Sequence, residues 1–241
     1  MVDCLKPGQH KLNSSVPRQL CTKHGVKHRL LLAGNHQCSG RITLHRQNTG
    51  RERHVTGTTR WHRKQHRFDN WSSPIALTGK DPAKTLVLLQ NQVGLTALDA
   101  RTGREAWQYD QPASRTPSSV VANGTVYIPS NGLTVVRPSG TEKKTPEIAW
   151  KNNRFSSGTP SPLVYRGKVF TMNGPILKCG DAATGKLLWQ LRLKGAFTSS
   201  PVAANGHLYY FGETGTTYVI DVTGAKGKIA AENSLGATIL C

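Results

Sequence analysis

No stretch of this 241-residue chain approaches the ~18 consecutive apolar residues that a membrane-spanning helix needs, which excludes a helical span. Acidic residues are scarce: 13 Asp+Glu stand against 32 Lys+Arg, for a formal charge of +19. Long runs of helix-forming residues are also missing, while Gly 24 and Pro 13 interrupt the chain repeatedly, which excludes a helical bundle, an α-solenoid or a coiled coil. The five cysteines form no tight Cys-x2-4-Cys pair, so no familiar zinc-finger spacing is present.

What is present divides into two compositions. Residues 1–70 hold 14 Lys+Arg, 3 acids, 8 of the 9 His and 3 of the 5 Cys; residues 71–241 hold 18, 10, 1 and 2. The first segment reads as a basic, His/Cys-rich leader with neither a helical stripe nor strand alternation. Its longest apolar run, Leu30-Leu31-Leu32-Ala33, is too short for the hydrophobic region of an export signal. The leader is expected to be disordered, or to be a misassigned gene start. Cys21, His24, His28, His36 and Cys38 could supply one zinc site without matching a known spacing, and the cluster Arg60-Trp61-His62-Arg63-Lys64-Gln65-His66-Arg67 suits weak polyanion or nucleic-acid binding.

The second segment repeats. Ser72-Ser73-Pro74-Ile75, Ser118-Ser119-Val120-Val121, Ser161-Pro162-Leu163-Val164 and Ser200-Pro201-Val202-Ala203 each open a unit. In the last three, a tight turn follows at Asn123-Gly124, Arg166-Gly167 and Asn205-Gly206, where glycine supplies the positive φ of a two-residue hairpin. A second turn runs Asp99-Ala100-Arg101-Thr102-Gly103 up to Trp107, returns as Asp181-Ala182-Ala183-Thr184-Gly185 up to Trp189, and returns partially as Asp221-Val222-Thr223-Gly224. In that last copy the Thr comes one residue early, and Ala230 or a neighbour stands where the Trp would be. The unit that ends at Trp150 has lost its Asp and Thr, yet Trp107, Trp150 and Trp189 are spaced by 43 and 39. Four short strands joined by tight turns in every ~41 residues predict an antiparallel meander, and a stack of such meanders is a β-propeller.

The spacing Asp-x-x-Thr-Gly-Lys/Arg-x-x-Trp resembles the tryptophan-docking repeat of PQQ-like (pyrroloquinoline-quinone-type) β-propellers, over residues 71–241. The resemblance implies an all-β fold: a partial, open propeller of about four four-stranded antiparallel blades. Complete rings of this family have seven or eight blades, and Gly236-Ala237-Thr238-Ile239-Leu240-Cys241 aligns with the residues that precede a blade start, so a fragment of a longer propeller is expected. The motif residues Asp99, Thr102, Gly103, Trp107, Trp150, Asp181, Thr184, Gly185, Trp189, Asp221 and Gly224 are expected to hold the fold and not to bind a ligand. Asp and Thr cap a tight turn, and the indole wedges between sheets.

Two branches of the family offer different functions. One resembles the BamB-like scaffolds of outer-membrane protein assembly, which dock proteins without a cofactor and lie in the bacterial envelope. The alternative is a fragment of a PQQ-dependent quinoprotein dehydrogenase, which implies PQQ, Ca²⁺, a catalytic Asp and a disulfide between adjacent cysteines. Adjacent cysteines are absent, and Glu142, Glu147, Glu213 and Glu232 are scattered rather than paired. The expectation is therefore a non-catalytic scaffold with a protein partner, no cofactor, and nucleic-acid binding confined to weak contacts of the leader. Cys179 is expected to be a buried small hydrophobe.

Overall fold

The computed structural model describes residues 30–34, 41–46, 59–64, 70–79, 81–138 and 144–239. Among the described residues, nineteen strands assemble into five antiparallel sheets. The first sheet has three strands, β1 (Leu30–Gly34), β2 (Arg41–Arg46) and β3 (Thr59–Lys64). The other four have four strands each, paired in sequence order. The second holds β4 (Ile75–Leu77), β5 (Leu86–Asn91), β6 (Gly94–Asp99) and β7 (Glu105–Tyr109). The third holds β8 (Val120–Ala122), β9 (Thr125–Ile128), β10 (Leu133–Arg137) and β11 (Glu147–Asn152), and a 3₁₀ turn, Asn153–Phe155, follows it. The fourth holds β12 (Leu163–Tyr165), β13 (Lys168–Asn173), β14 (Ile176–Asp181) and β15 (Leu187–Arg192). The fifth holds β16 (Val202–Ala204), β17 (His207–Phe211), β18 (Thr216–Asp221) and β19 (Lys228–Ser234). No helix among the described residues is long and apolar enough to cross a membrane.

The four-stranded sheets are the meanders that the repeats predict, because two-residue turns cannot carry a chain from one parallel strand to the next. Asn123, Arg166 and Asn205 adopt φ of 50°, 49° and 48°, and the glycine after each is also positive, as the hairpin twist requires. The three-stranded sheet lies inside the segment read as a leader, and over these strands the strandless reading is corrected. In Arg41-Ile42-Thr43-Leu44-His45-Arg46 apolar and polar residues do alternate, and the Lys, Arg and His around them hid it. The candidate zinc residues Cys21, His24, His28, His36 and Cys38 lie outside the described residues.

The core is a series of layers between adjacent sheets. Leu88, Leu95, Ala97 and Trp107 of the second sheet pack on Val126, Ile128 and Val136 of the third. Tyr127, Val135 and Trp150 of the third pack on Val169 and Ala182 of the fourth. Phe170, Cys179 and Trp189 of the fourth pack on Leu208, Tyr210, Tyr218 and Ile220 of the fifth. Cys179 is a fully buried free thiol, and burial pushes its pKa up to about 12, so it packs as a small apolar group. The second, third and fourth sheets bury apolar side chains on both faces and gain that burial from their neighbours, as stacked repeats must.

Candidate functional site

The recurring polar residues of the repeat converge on one turn, between the third and fourth strands of a sheet. In the second sheet, Asp99 Oδ1 accepts from the amides of Arg101 (2.9 Å) and Thr102 (2.7 Å) and from the Thr102 hydroxyl (2.8 Å). In the fourth, Asp181 Oδ1 accepts from the amides of Ala183 (3.0 Å) and Thr184 (2.8 Å) and from the Thr184 hydroxyl (2.8 Å). The Gly103 and Gly185 amides close the turns on the Asp99 and Asp181 carbonyls at 2.8 and 2.9 Å. Both glycines sit at φ +72°, a region costly to residues with a side chain.

These bonds set the charge state of the turns. The Thr184 hydroxyl and amide hold the Asp181 carboxyl below the ordinary carboxylate pKa. At Asp99 burial works in the raising direction, but the hydrogen bonds from Thr102 and Arg101 bring the net value below the ordinary one. At Asp221 the Thr223 hydroxyl, at 2.6 Å, and its amide lower the value likewise.

Each turn is also a seat for an indole from the preceding sheet. Trp150 donates from Nε1 to the Ala182 carbonyl at 3.1 Å, and a β-carbon on Gly185 would lie 2.5 Å from its ring. Tyr127 donates to the same carbonyl at 3.2 Å, and Asn152 Nδ2 donates to the Gly185 carbonyl at 2.8 Å. Trp61 repeats the arrangement one interface earlier. Its Nε1 donates to the Ala100 carbonyl at 3.1 Å, and its ring lies where a Gly103 β-carbon would stand, 2.6 Å away. Arg63 reinforces this contact through an ion pair with Glu105 at 2.7 Å.

At the last interface the detail changes. The glycine pressed against Trp189 is Gly227; Gly224 does not take a positive φ and has only open space and a distant carbonyl near it, so its assignment as the docking glycine is corrected. The carbonyl equivalent to Ala100 and Ala182, that of Val222, accepts instead from Lys168 Nζ at 2.9 Å, and Trp189 Nε1 is buried without a partner. Among the described residues Trp107 Nε1 likewise has no partner. In strand register Trp61, Trp107, Trp150 and Trp189 pair with Leu44, Ala97, Val135 and Cys179, and each of those sheets has a bulge directly after that pair. In the fifth sheet the bulge recurs and Ala231 holds the indole's position, opposite Val219.

A second device links sheet to sheet at the first strands. The Ser73 amide donates to Ser118 Oγ at 2.8 Å, the Ser118 amide to Ser161 Oγ at 2.9 Å, and the Ser161 amide to Ser200 Oγ at 3.0 Å. The repeated Ser of the blade starts is thus a ladder that runs across the arc. Two residue sets were not legible as structural in the sequence: this ladder and Trp61. The signal for Trp61 was its position, 46 residues before Trp107, close to the spacing of the other indoles.

Chemically, these sites are occupied by turn formation. A Ca²⁺ ion takes six to eight oxygens in one cage, whereas Asp99, Asp181 and Asp221 stand on three different sheets with Oδ1 already engaged. Among the described residues no three His, Cys, Asp or Glu gather into a metal-binding group. The Asp turns themselves therefore do not make a Ca²⁺ cage.

No curated protein matches the chain by sequence. Among solved structures, BamB from Moraxella catarrhalis is similar at a TM-score of 0.51 and 16% identity, covering 88% of this chain and 68% of its own. Quinohemoprotein alcohol dehydrogenase from Comamonas testosteroni is similar at 0.53 and 16%, covering 68% of this chain; the chain spans 35% of that enzyme. Saccharomyces cerevisiae Sqt1 is similar at 0.63 and 12%, covering 83% of this chain and 58% of its own. At these identities the likeness is one of fold. A sequence-family profile, that of outer membrane protein assembly factor BamB, matches residues 39–175 and 139–230. These matches include β2 and β3 of the first sheet, the Asp turns and all four docking indoles, and the chain belongs to that family of PQQ-like propeller repeats.

Proposed function

We propose that this chain is a non-catalytic propeller scaffold that docks other proteins in the bacterial envelope, in the manner of the BamB branch. One observation carries the reading. The polar residues that recur with the repeat are spent on the fold: the Asp and Thr side chains of the turns bond one another, and two of the four indoles bond a neighbouring turn. A repeat built this way yields a rigid surface and leaves chemistry to residues outside the motif. Envelope location follows from the family and is part of the same proposal.

The test is reconstitution with the full chain. A partner captured from envelope extract and purified is expected to re-form a defined complex that survives high salt, and failure to do so removes the reading. The fold likeness to quinohemoprotein alcohol dehydrogenase supplies the competing outcome: dye reduction with alcohols after addition of PQQ and Ca²⁺ would replace the scaffold with an enzyme fragment.

A further inference from the structure

Between the second and third sheets, at the end of the strands opposite the Asp turns, lies an open cleft of about 660 Å³. Its floor is a closed polar network. The Tyr109 hydroxyl lies 3.0 Å from Ser130 Oγ and 3.4 Å from Thr134 Oγ1; Thr134 donates to the Ser130 carbonyl at 3.1 Å, and Ser130 donates to the Pro112 carbonyl at 2.5 Å. One wall comes close because Gly132, at φ +91°, has no side chain: a β-carbon there would collide with the backbone of Asn152 and Asn153. Floor and wall are therefore built before any ligand arrives, which reduces the ordering cost of binding.

The rim is different. Gln111, Asn131, Lys151 and Asn153 line it, and among the described residues Asn131, Lys151 and Asn153 spend no side-chain hydrogen bond on the protein. Gln111 makes only a long 3.5 Å contact with its neighbour Asp110. No carboxylate lines the cleft. Three carboxamides, each able to donate and accept, match the alternating donors and acceptors of a peptide backbone, and one ammonium matches one carboxylate. A nucleic-acid strand would bring a phosphate at every nucleotide, and the single cation that lines the cleft, Lys151, is a poor match for that charge density.

We propose that this cleft binds an extended acidic peptide segment of a partner protein, with a side-chain carboxylate on Lys151 and backbone amides on Gln111, Asn131 and Asn153. The assignment rests on the docking reading above and names the partner's chemistry.

The experiment titrates the ¹⁵N-labelled full chain with the blocked peptide acetyl-Gly-Glu-Gly-Asp-Gly-amide and follows the amide resonances. Shifts are expected to cluster on the Gln111, Asn131 and Asn153 side chains. Lys151→Glu is expected to weaken binding about fivefold, and Lys186→Glu, the same charge change beside an Asp turn, by less than about twofold. Equal weakening by both variants, shifts confined to residues 1–70, or tighter binding of a thymidine decanucleotide at the same resonances would overturn the assignment. The two proposals fail separately: an envelope partner held equally by parent and Lys151→Glu removes the cleft and leaves the platform, whereas a parent that holds no partner counts against the platform while the titration still decides the cleft.

Discussion

The indole of Trp150 lies flat enough on Gly185 that its ring occupies the place of a β-carbon, 2.5 Å away, while its Nε1 reaches past the glycine to the Ala182 carbonyl at 3.1 Å. One residue type thus serves two purposes at once. Glycine permits the positive φ of the turn, and its bare α-carbon is the floor on which the next sheet's tryptophan rests. The requirement for glycine is therefore conformational and steric together.

That double requirement separates two glycines that share a conformation. Gly167 has φ +71° and open space for 4 Å around the point where a β-carbon would stand, whereas Gly185 has φ +72° and the Trp150 ring. Gly167→Ala is expected to cost about 1–2 kcal/mol from left-handed strain alone. Gly185→Ala should cost clearly more, read as a larger drop in the urea midpoint. Equal losses would show that the indole can move aside freely.

The two hydrogen-bonding states of the docking indoles predict a difference on conservative substitution. Trp150→Phe loses the bond to Ala182 as well as ring area; Trp189→Phe loses ring area only, because its Nε1 has no partner. Trp150→Phe should be the more destabilising by about 1 kcal/mol. Denaturant unfolding of the two variants side by side measures it, and the opposite order would refute the bonding account. Either tryptophan cut to Ala should cost about 3–5 kcal/mol.

Trp61 carries a prediction about the extent of the folded unit. It is half-buried against Val87, Leu89, Leu98 and Ala100. Trp61→Ala should lower stability, by less than Trp150→Ala, and should raise amide exchange at Val87 and Leu98 in particular. Unchanged exchange there would mean that the first sheet contributes nothing to the second.

The Asp turns should make stability fall in acid. The folded pKa values of Asp99, Asp181 and Asp221 are lowered, so their contribution is fully present above the unfolded carboxylate value, about 3.9, and is lost as pH drops through the folded values. The melting temperature is expected to decline below about pH 4. Thr184→Val removes the hydroxyl donor and should raise the Asp181 pKa toward the ordinary one, followed by carboxyl-carbon NMR. An unmoved Asp181 titration would contradict the hydrogen-bond origin of the shift.

The amino-acid order was enough to place the repeated meander, its two kinds of turn and the wedge positions Trp107, Trp150 and Trp189. Local rules govern all of these: Asn-Gly and Asp-x-x-Thr-Gly specify turns within a few residues, and the recurrence of an indole every forty or so positions marks one seat per sheet. Tertiary structure alone decided which glycine meets which indole, that Lys168 takes the carbonyl which Trp189 would need, that Ser73, Ser118, Ser161 and Ser200 form a ladder, and that Trp61 belongs to the same series. Those pairings join residues about forty positions apart on different sheets. Their geometry depends on how bulged, twisted sheets stack, and no local pattern of residues encodes that stacking.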